Sequence, residues 1–209
     1  MSSRSGLLDI IVGNTWSIQK ELDLYGVENT VLNDLASIVY GIPRLVNEIR
    51  ILIPRDTDNK VVVNTLVEVL SMHRYRDSIL EALEEKGSVA LNPVTMPIVY
   101  VIKSTNNISN ACLEKTLTID IYGYMIRVPR LEEYIAYLYS LEGLYPYIVD
   151  AITLHIIHYD RIDYELLRNY NIDIELICNI VKELEKLVNT FYELEELVRV
   201  IKEKYCKSL

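Results

Sequence analysis

Glycine and proline are scarce in this chain, seven and six of its 209 residues. A segment built to stay disordered is rich in polar and backbone-breaking residues and poor in apolar ones, whereas half of this sequence is hydrophobic, so a packed core is expected through most of its length. Basic residues are also in deficit, 21 Lys and Arg against 30 Asp and Glu, giving a net charge of −9 and a pI near 4.9. Broad binding to nucleic acid or to anionic membrane rests on Lys and Arg neutralising phosphates, and this balance argues against both. Cysteine is rare too: Cys112, Cys178 and Cys206 lie far apart with no Cys-x-x-Cys pair. They predict neither a disulfide framework nor a zinc site, and they suit a reducing, cytoplasmic compartment. No apolar run is long enough to span a bilayer; residues 7–12 are too few, lack a cleavage pattern after them, and read as the start of a buried helix. A single Gln and a single Phe stand beside sixteen Tyr and abundant Glu, which points to a thermophile, since Gln is thermolabile and charged residues are favoured in the heat.

What is present is organised around residues 31–53, VLNDLASIVYGIPRLVNEIRILI. The stretch reads as a short apolar strand, a helix of about two turns, a corner at Gly41, a Pro43-Arg44 step, and a second strand ending in an unbroken apolar run. Ahead of it, residues 7–25 have a helical pattern with Leu7, Leu8, Ile11, Trp16, Ile18, Leu22 and Tyr25 as inward candidates, Gly26 as the stop, and a strand at 29–32. After it, 54–59 is a polar turn in which Asp58 or Asn59 caps a helix starting at Lys60; a further helical segment, 77–86, stops at Gly87. Pro93 and Pro97 bracket a loop, 98–102 is a fully apolar run expected of a central strand covered on both faces, and Asn106-Asn107 opens a brief helix or loop. Residues 116–121 alternate with strand period and turn through Tyr122-Gly123 into 124–128. Helices follow at 131–141, 145–159, 163–170 and 173–207. The expected class is α/β (α+β): a small mixed sheet flanked by helices over 1–143, then a helical C-terminal extension over 144–209 that ends in a long amphipathic helix.

Two pieces of this pattern resemble the nucleotidyltransferase fold, and most closely its abortive-infection toxin and minimal nucleotidyltransferase branches. One is the Gly41-Ile42-Pro43-Arg44 corner between the short helix and the second strand; the other is the 126–135 segment, Ile-Arg-Val-Pro-Arg-Leu-Glu-Glu-Tyr-Ile, after the hairpin. The resemblance covers roughly residues 26–145. It implies a loop of two small residues, an Asp-x-Asp strand and a third acid on the next central strand, which together hold catalytic metal. Laid over that pattern, the small pair falls on Asn33-Asp34 and the Asp-x-Asp on Glu48-Ile49-Arg50.

Nucleotidyl transfer needs carboxylates because divalent cations must bridge the triphosphate and the attacking oxygen. Residues i and i+2 of a strand share a face, so Glu48 and Arg50 point the same way, and a guanidinium at the second position repels a cation instead of binding it. The third position falls on Val99 or Tyr100; an alternative alignment places it at Asp120. The resemblance therefore implies a degenerate catalytic motif, with Asn33, Asp34, Arg44 and Arg50 as ligand-binding candidates in the old cleft and no resident metal or other cofactor. In the plainer reading Arg50 pairs with Glu48 or Asp34 and closes the cleft. If the enzyme is active, Glu48 and Asp120 are the catalytic residues, Mg²⁺ or Mn²⁺ is the cofactor, and a nucleotide passes to a protein or RNA hydroxyl.

Other patterns carry less. His155 and His158, at i and i+3, would share a metal only with a third ligand, and with Ile152, Ile156 and Ile157 interleaved they read as surface or interface histidines. His73-Arg74-Tyr75-Arg76 is the compact basic cluster; it suits an RNA or phosphate contact, though on an acidic chain a solvated helix end is the plainer reading. No Ser-His-Asp order, Walker loop, Gly-x-Gly-x-x-Gly or kinase signature occurs, nor the Arg-x4-6-His motif of the ribonuclease partners that accompany minimal nucleotidyltransferases. Along 173–207 an apolar stripe at spacings of three and four suits packing on its own domain, a homodimer seam, or a protein partner. Three functions follow as expectations: a degenerate nucleotidyltransferase-fold module that binds a nucleotide, a phosphate or a protein, within a toxin-antitoxin-like or regulatory pair; an active nucleotidyltransferase; or a purely structural dimer.

Overall fold

A computed structural model describes residues 6–93, 97–141, 145–158 and 160–170, together with the single positions 172, 178, 182, 198, 199, 202, 203 and 206. The chain forms two compact units, Met1–Tyr134 and Ile135–Leu209, so the division falls earlier than the expected 143/144 boundary. Among the described residues, no helix is long and apolar enough to cross a membrane.

The first unit is α/β. Helix α1 (Leu7–Leu24) leads through Gly26, at φ +69, into β1 (Thr30–Leu32), α2 (Asn33–Val39) and β2 (Glu48–Ile53). Then come α3 (Asn59–Val69), a 3-10 turn at His73–Tyr75, α4 (Arg76–Lys86), β3 (Ser88–Leu91) and β4 (Ile98–Lys103). Helix α5 (Asn107–Glu114) and the hairpin of β5 (Thr116–Ile121) and β6 (Tyr124–Pro129) follow. The main sheet has the order β1-β2-β4-β3, with β1 antiparallel to β2, β2 parallel to β4, and β3 antiparallel to β4. The hairpin is a separate two-stranded sheet.

Local chemistry sets the breaks. Asp58 accepts the Lys60 N–H and starts α3, and Asn106 with Ser109 makes a reciprocal capping box that commits the Asn106-Asn107 stretch to a helix. Gly87 ends α4 in the left-handed region at φ +63, as the sequence predicts. Strand β3 lies in a stretch between Gly87 and Pro93 to which the sequence assigns no element: only four residues long, it is too short to declare itself and pairs antiparallel with β4.

One face of the main sheet is buried through Ile49, Ile51, Ile53, Val89, Leu91, Val99 and Val101, with Lys103 at the end of β4 half-buried. The other is not, so β4 is covered on one face only at its start, where Ile98 is exposed and Tyr100 half-buried. Helix α1 turns Ile11, Ile18 and Leu22 inward but leaves Leu7 and Tyr25 exposed, because both sit at its ends beyond the elements it packs on. The only Gln in the chain, Gln19, is buried and substitutes for a strand: its amide nitrogen donates to the Arg127 carbonyl (3.1 Å) and its oxygen accepts the Arg127 N–H (3.0 Å).

Helix α6 (Leu131–Ser140) crosses the division, and α7 (Tyr145–Ile157) and α8 (Tyr164–Asn169) belong to the second unit. His155 is not a surface histidine. It is fully buried, with the Tyr139 and Tyr164 rings 5.8 and 5.9 Å from its own, and burial lowers its pKa to about 3. Burial likewise raises the Tyr139 hydroxyl.

Most of the expected 173–207 helix lies outside the described residues. Cys178 and Cys206, which are described, form a disulfide, against the expectation of none; their Cα atoms are 5.7 Å apart. The bond was illegible in the sequence because 28 residues separate the partners.

Two outcomes are expected. Alkylation should label no cysteine in the native chain, Cys112 alone after unfolding without reductant, and all three after unfolding with it, since Cys112 is buried and free. His155 gives stability that is complete above its unfolded value of 6.5 and is lost as pH falls toward the folded value. Urea melts of His155→Phe should therefore recover roughly 1–2 kcal/mol relative to the parent between pH 7 and pH 5; parallel pH profiles would show that the ring is not neutral in the fold.

Candidate functional site

The predicted cleft assembles around the start of α2. Asn33 adopts φ +56, a left-handed conformation that Asn tolerates better than most residues, so the first member of the expected small pair keeps a turn a glycine would supply. Helix α2 ends in a Schellman motif: the Gly41 N–H bonds the Ile38 carbonyl (3.0 Å), the Ile42 N–H bonds the Ser37 carbonyl (2.9 Å), and Gly41 sits at φ +93. The chain is thereby turned back so that 44–48 passes Asp34.

Asp34 holds that return. One carboxylate oxygen accepts the backbone N–H groups of Asn47 (2.8 Å) and Glu48 (3.2 Å), and the other pairs with the Arg44 guanidinium at 3.0 Å. Six residues after Arg44, Arg50 pairs with Glu48, its Nη2 lying 3.1 Å from Oε1 and 3.4 Å from Oε2. Asn33 Nδ2 also donates to Glu48. The structure thus brings Asn33, Asp34, Arg44, Glu48 and Arg50 together, but as two mutually neutralising ion pairs joined by backbone bonds. The pairing Arg50–Glu48 is the one in the plainer sequence reading.

Strand register settles which residue neighbours Arg50. Strand β4 is the parallel partner of β2, Arg50 stands opposite Tyr100, and Tyr100 stands opposite Ala90 of β3. The Arg50 guanidinium lies over the Tyr100 ring at 5.1 Å, a cation–π contact where the alignment without Asp120 places the third acid. Asp120 is elsewhere in the topology, on the β5–β6 sheet, where its carboxylate accepts the Gly123 N–H at 2.8 Å and closes the hairpin turn. Glu48 and Asp120 are not placed on one sheet. The donor set does not fit a two-metal centre, because the Glu48 carboxylate is already taken by a guanidinium and an amide. No group of three or more His, Cys, Asp and Glu side chains among the described residues could hold a metal ion.

Two contributors escaped the sequence reading. Tyr134 is fully buried; its hydroxyl donates to the Asn33 carbonyl (2.9 Å), lies 2.7 Å from Ser37 Oγ, and its ring stacks on Tyr40 at 5.9 Å. It ties the 126–135 segment to the Asn33 turn, and a single Tyr among sixteen gave no signal for that role. Tyr40 in turn donates to the Pro129 carbonyl, and burial raises its pKa well above the ordinary tyrosine value. The other was Tyr100, recognised as a missing acid but not as a cation's platform.

Because Asp34 satisfies two backbone donors as well as a guanidinium, Asp34→Ala should lower stability by about 2–4 kcal/mol, while Arg44→Ala, which removes only the half-exposed partner, should lower it by about 1. Chemical denaturation of both variants checks the order; a larger loss from Arg44→Ala would show that the carboxylate is not the anchor.

No protein-family model matches the sequence, and no curated protein matches it. Among solved structures the chain is similar to an antigenic nucleotidyltransferase-like protein from Paracoccidioides brasiliensis, with a TM-score of 0.42 and 11% sequence identity over 95% of this chain and 94% of that one.

Proposed function

We propose that this protein is a nucleotidyltransferase-fold module without metal-dependent catalysis, acting by binding a nucleotide or phosphate or a protein partner, as one half of a toxin-antitoxin-like or regulatory pair. The observation that carries the reading is the Arg50–Glu48 pair stacked on Tyr100. A metal-dependent transferase needs free carboxylate oxygens at this point, and a fixed positive charge beside the one carboxylate present opposes a divalent cation. Arg44, held by Asp34, is similarly committed to the fold.

Thermal melts with nucleoside triphosphates, each in EDTA, Mg²⁺ and Mn²⁺, test it. The expected result is no metal-dependent rise in Tm and no nucleotide incorporation into protein or RNA acceptors. A rise that requires Mg²⁺ or Mn²⁺ and vanishes in Glu48→Ala would overturn the reading.

A further inference from the structure

Beside the closed cleft, in the same unit, lies a cavity of about 850 Å³ formed by the end of α3, the 3-10 turn, α4 and the β3–β4 edge. Its walls include Tyr100 and Ala90, the residues that continue the Arg50 row across the sheet, so cleft and cavity share Tyr100. None of the lining residues is Asp or Glu, although the chain carries 30 of them, and two are cations, Arg74 and Lys86. Neither cation has a carboxylate partner among the described residues. The neighbours in the basic cluster are occupied, Arg76 by the Asn64 amide and His73 facing Glu68 at 3.9 Å, which leaves Arg74 as the member aimed at the cavity.

The remaining wall has two characters. Ser71, Ser78, Ser88 and Asn92 offer hydroxyl and amide groups, Tyr75 and Tyr100 offer rings, and Ile79, Val89 and Leu91, the two strand residues among them on the opposite sheet face from Tyr100, add apolar wall. Ser71 adds a backbone feature: it sits at φ +55 just past the end of α3, a left-handed position where glycine is the usual occupant, and it lines the cavity. One-sign charge lining a concave surface concentrates ligands of the opposite sign even on an acidic protein. The volume lies in the range that takes a ligand of nucleotide size.

We infer that this cavity is a binding site for a nucleoside monophosphate, its phosphate on Arg74 and Lys86 and its base against Tyr75 or Tyr100. Two cations without a carboxylate partner, Lys86 and Arg74, the latter over the Tyr75 ring at 6.0 Å, match the roughly two negative charges of a terminal phosphate, with the serine hydroxyls completing its hydrogen bonds. Base stacking on tyrosine needs no particular base and leaves selectivity to Asn92. The site goes beyond the proposed function, because it shares only Tyr100 with the cleft, uses none of Asn33, Asp34, Arg44, Glu48 and Arg50, and holds whether or not the cleft can act on a metal.

Isothermal titration of the full chain with AMP, GMP, CMP and UMP, in EDTA at low salt, tests the site. At least one nucleotide is expected to bind, more tightly than inorganic phosphate. Arg74→Glu with Lys86→Glu should weaken it by more than about tenfold, and Tyr75→Ala by about three- to tenfold; these side chains are exposed, and unchanged thermal melts would confirm that the fold is intact. Arg44→Ala should leave the affinity unchanged. Absence of binding by all four nucleotides, or binding that survives the double charge reversal, would overturn the assignment. Loss in Arg44→Ala alone would move the ligand to the cleft, refuting the cavity while leaving the proposed function standing; metal-dependent transfer would refute that function without touching the cavity.

Discussion

The first unit depends on one carboxylate. Asp34 stands at the start of α2 and captures the backbone of Asn47 and Glu48 together with the Arg44 guanidinium. The strand β2 that follows is therefore docked at its first residue by a group from the preceding helix, not merely by its ladder to β1. A buried acceptor serving two backbone donors and one cation is expensive to remove, and that makes the Gly41 corner a fixed element instead of a loop. The Schellman geometry at Gly41 and the Tyr134 hydroxyl on the Asn33 carbonyl hold α2 at its two ends.

From that constraint follows the electrostatics of the outward sheet face. With Asp34 and Arg44 matched, Glu48 and Arg50 are left adjacent on one strand face, two residues apart, and they pair with each other over Tyr100. The row Arg50, Tyr100, Ala90 then runs from a neutral cleft to a cavity whose cations are unmatched.

The second unit is held by different chemistry. His155 is kept neutral between two tyrosine rings, so its core is coupled to pH, and Burial alone accounts for the direction. Cys178 and Cys206 close a loop of 28 residues, which stabilises chiefly by restricting the unfolded chain.

Much of the architecture was legible in the sequence because its signals are local. The apolar run at 98–102, the Asp58 cap, the Gly87 stop and the Tyr122-Gly123 turn each declare their conformation within a few residues, and the α/β class with a small mixed sheet follows from their order. So does the face shared by Glu48 and Arg50, since strand period alone sets it. What the sequence left open was partnership across distance: whether Arg50 would take Glu48 or Asp34, where Asp120 would lie, that four residues before Pro93 would become β3, that His155 would be buried, and that Cys178 would meet Cys206. Side-chain pairing depends on strand register and helix approach, which are properties of the packed chain, and a charge cluster such as residues 73–76 acquires its meaning only when folding decides which of its members face a carboxylate and which face a cavity.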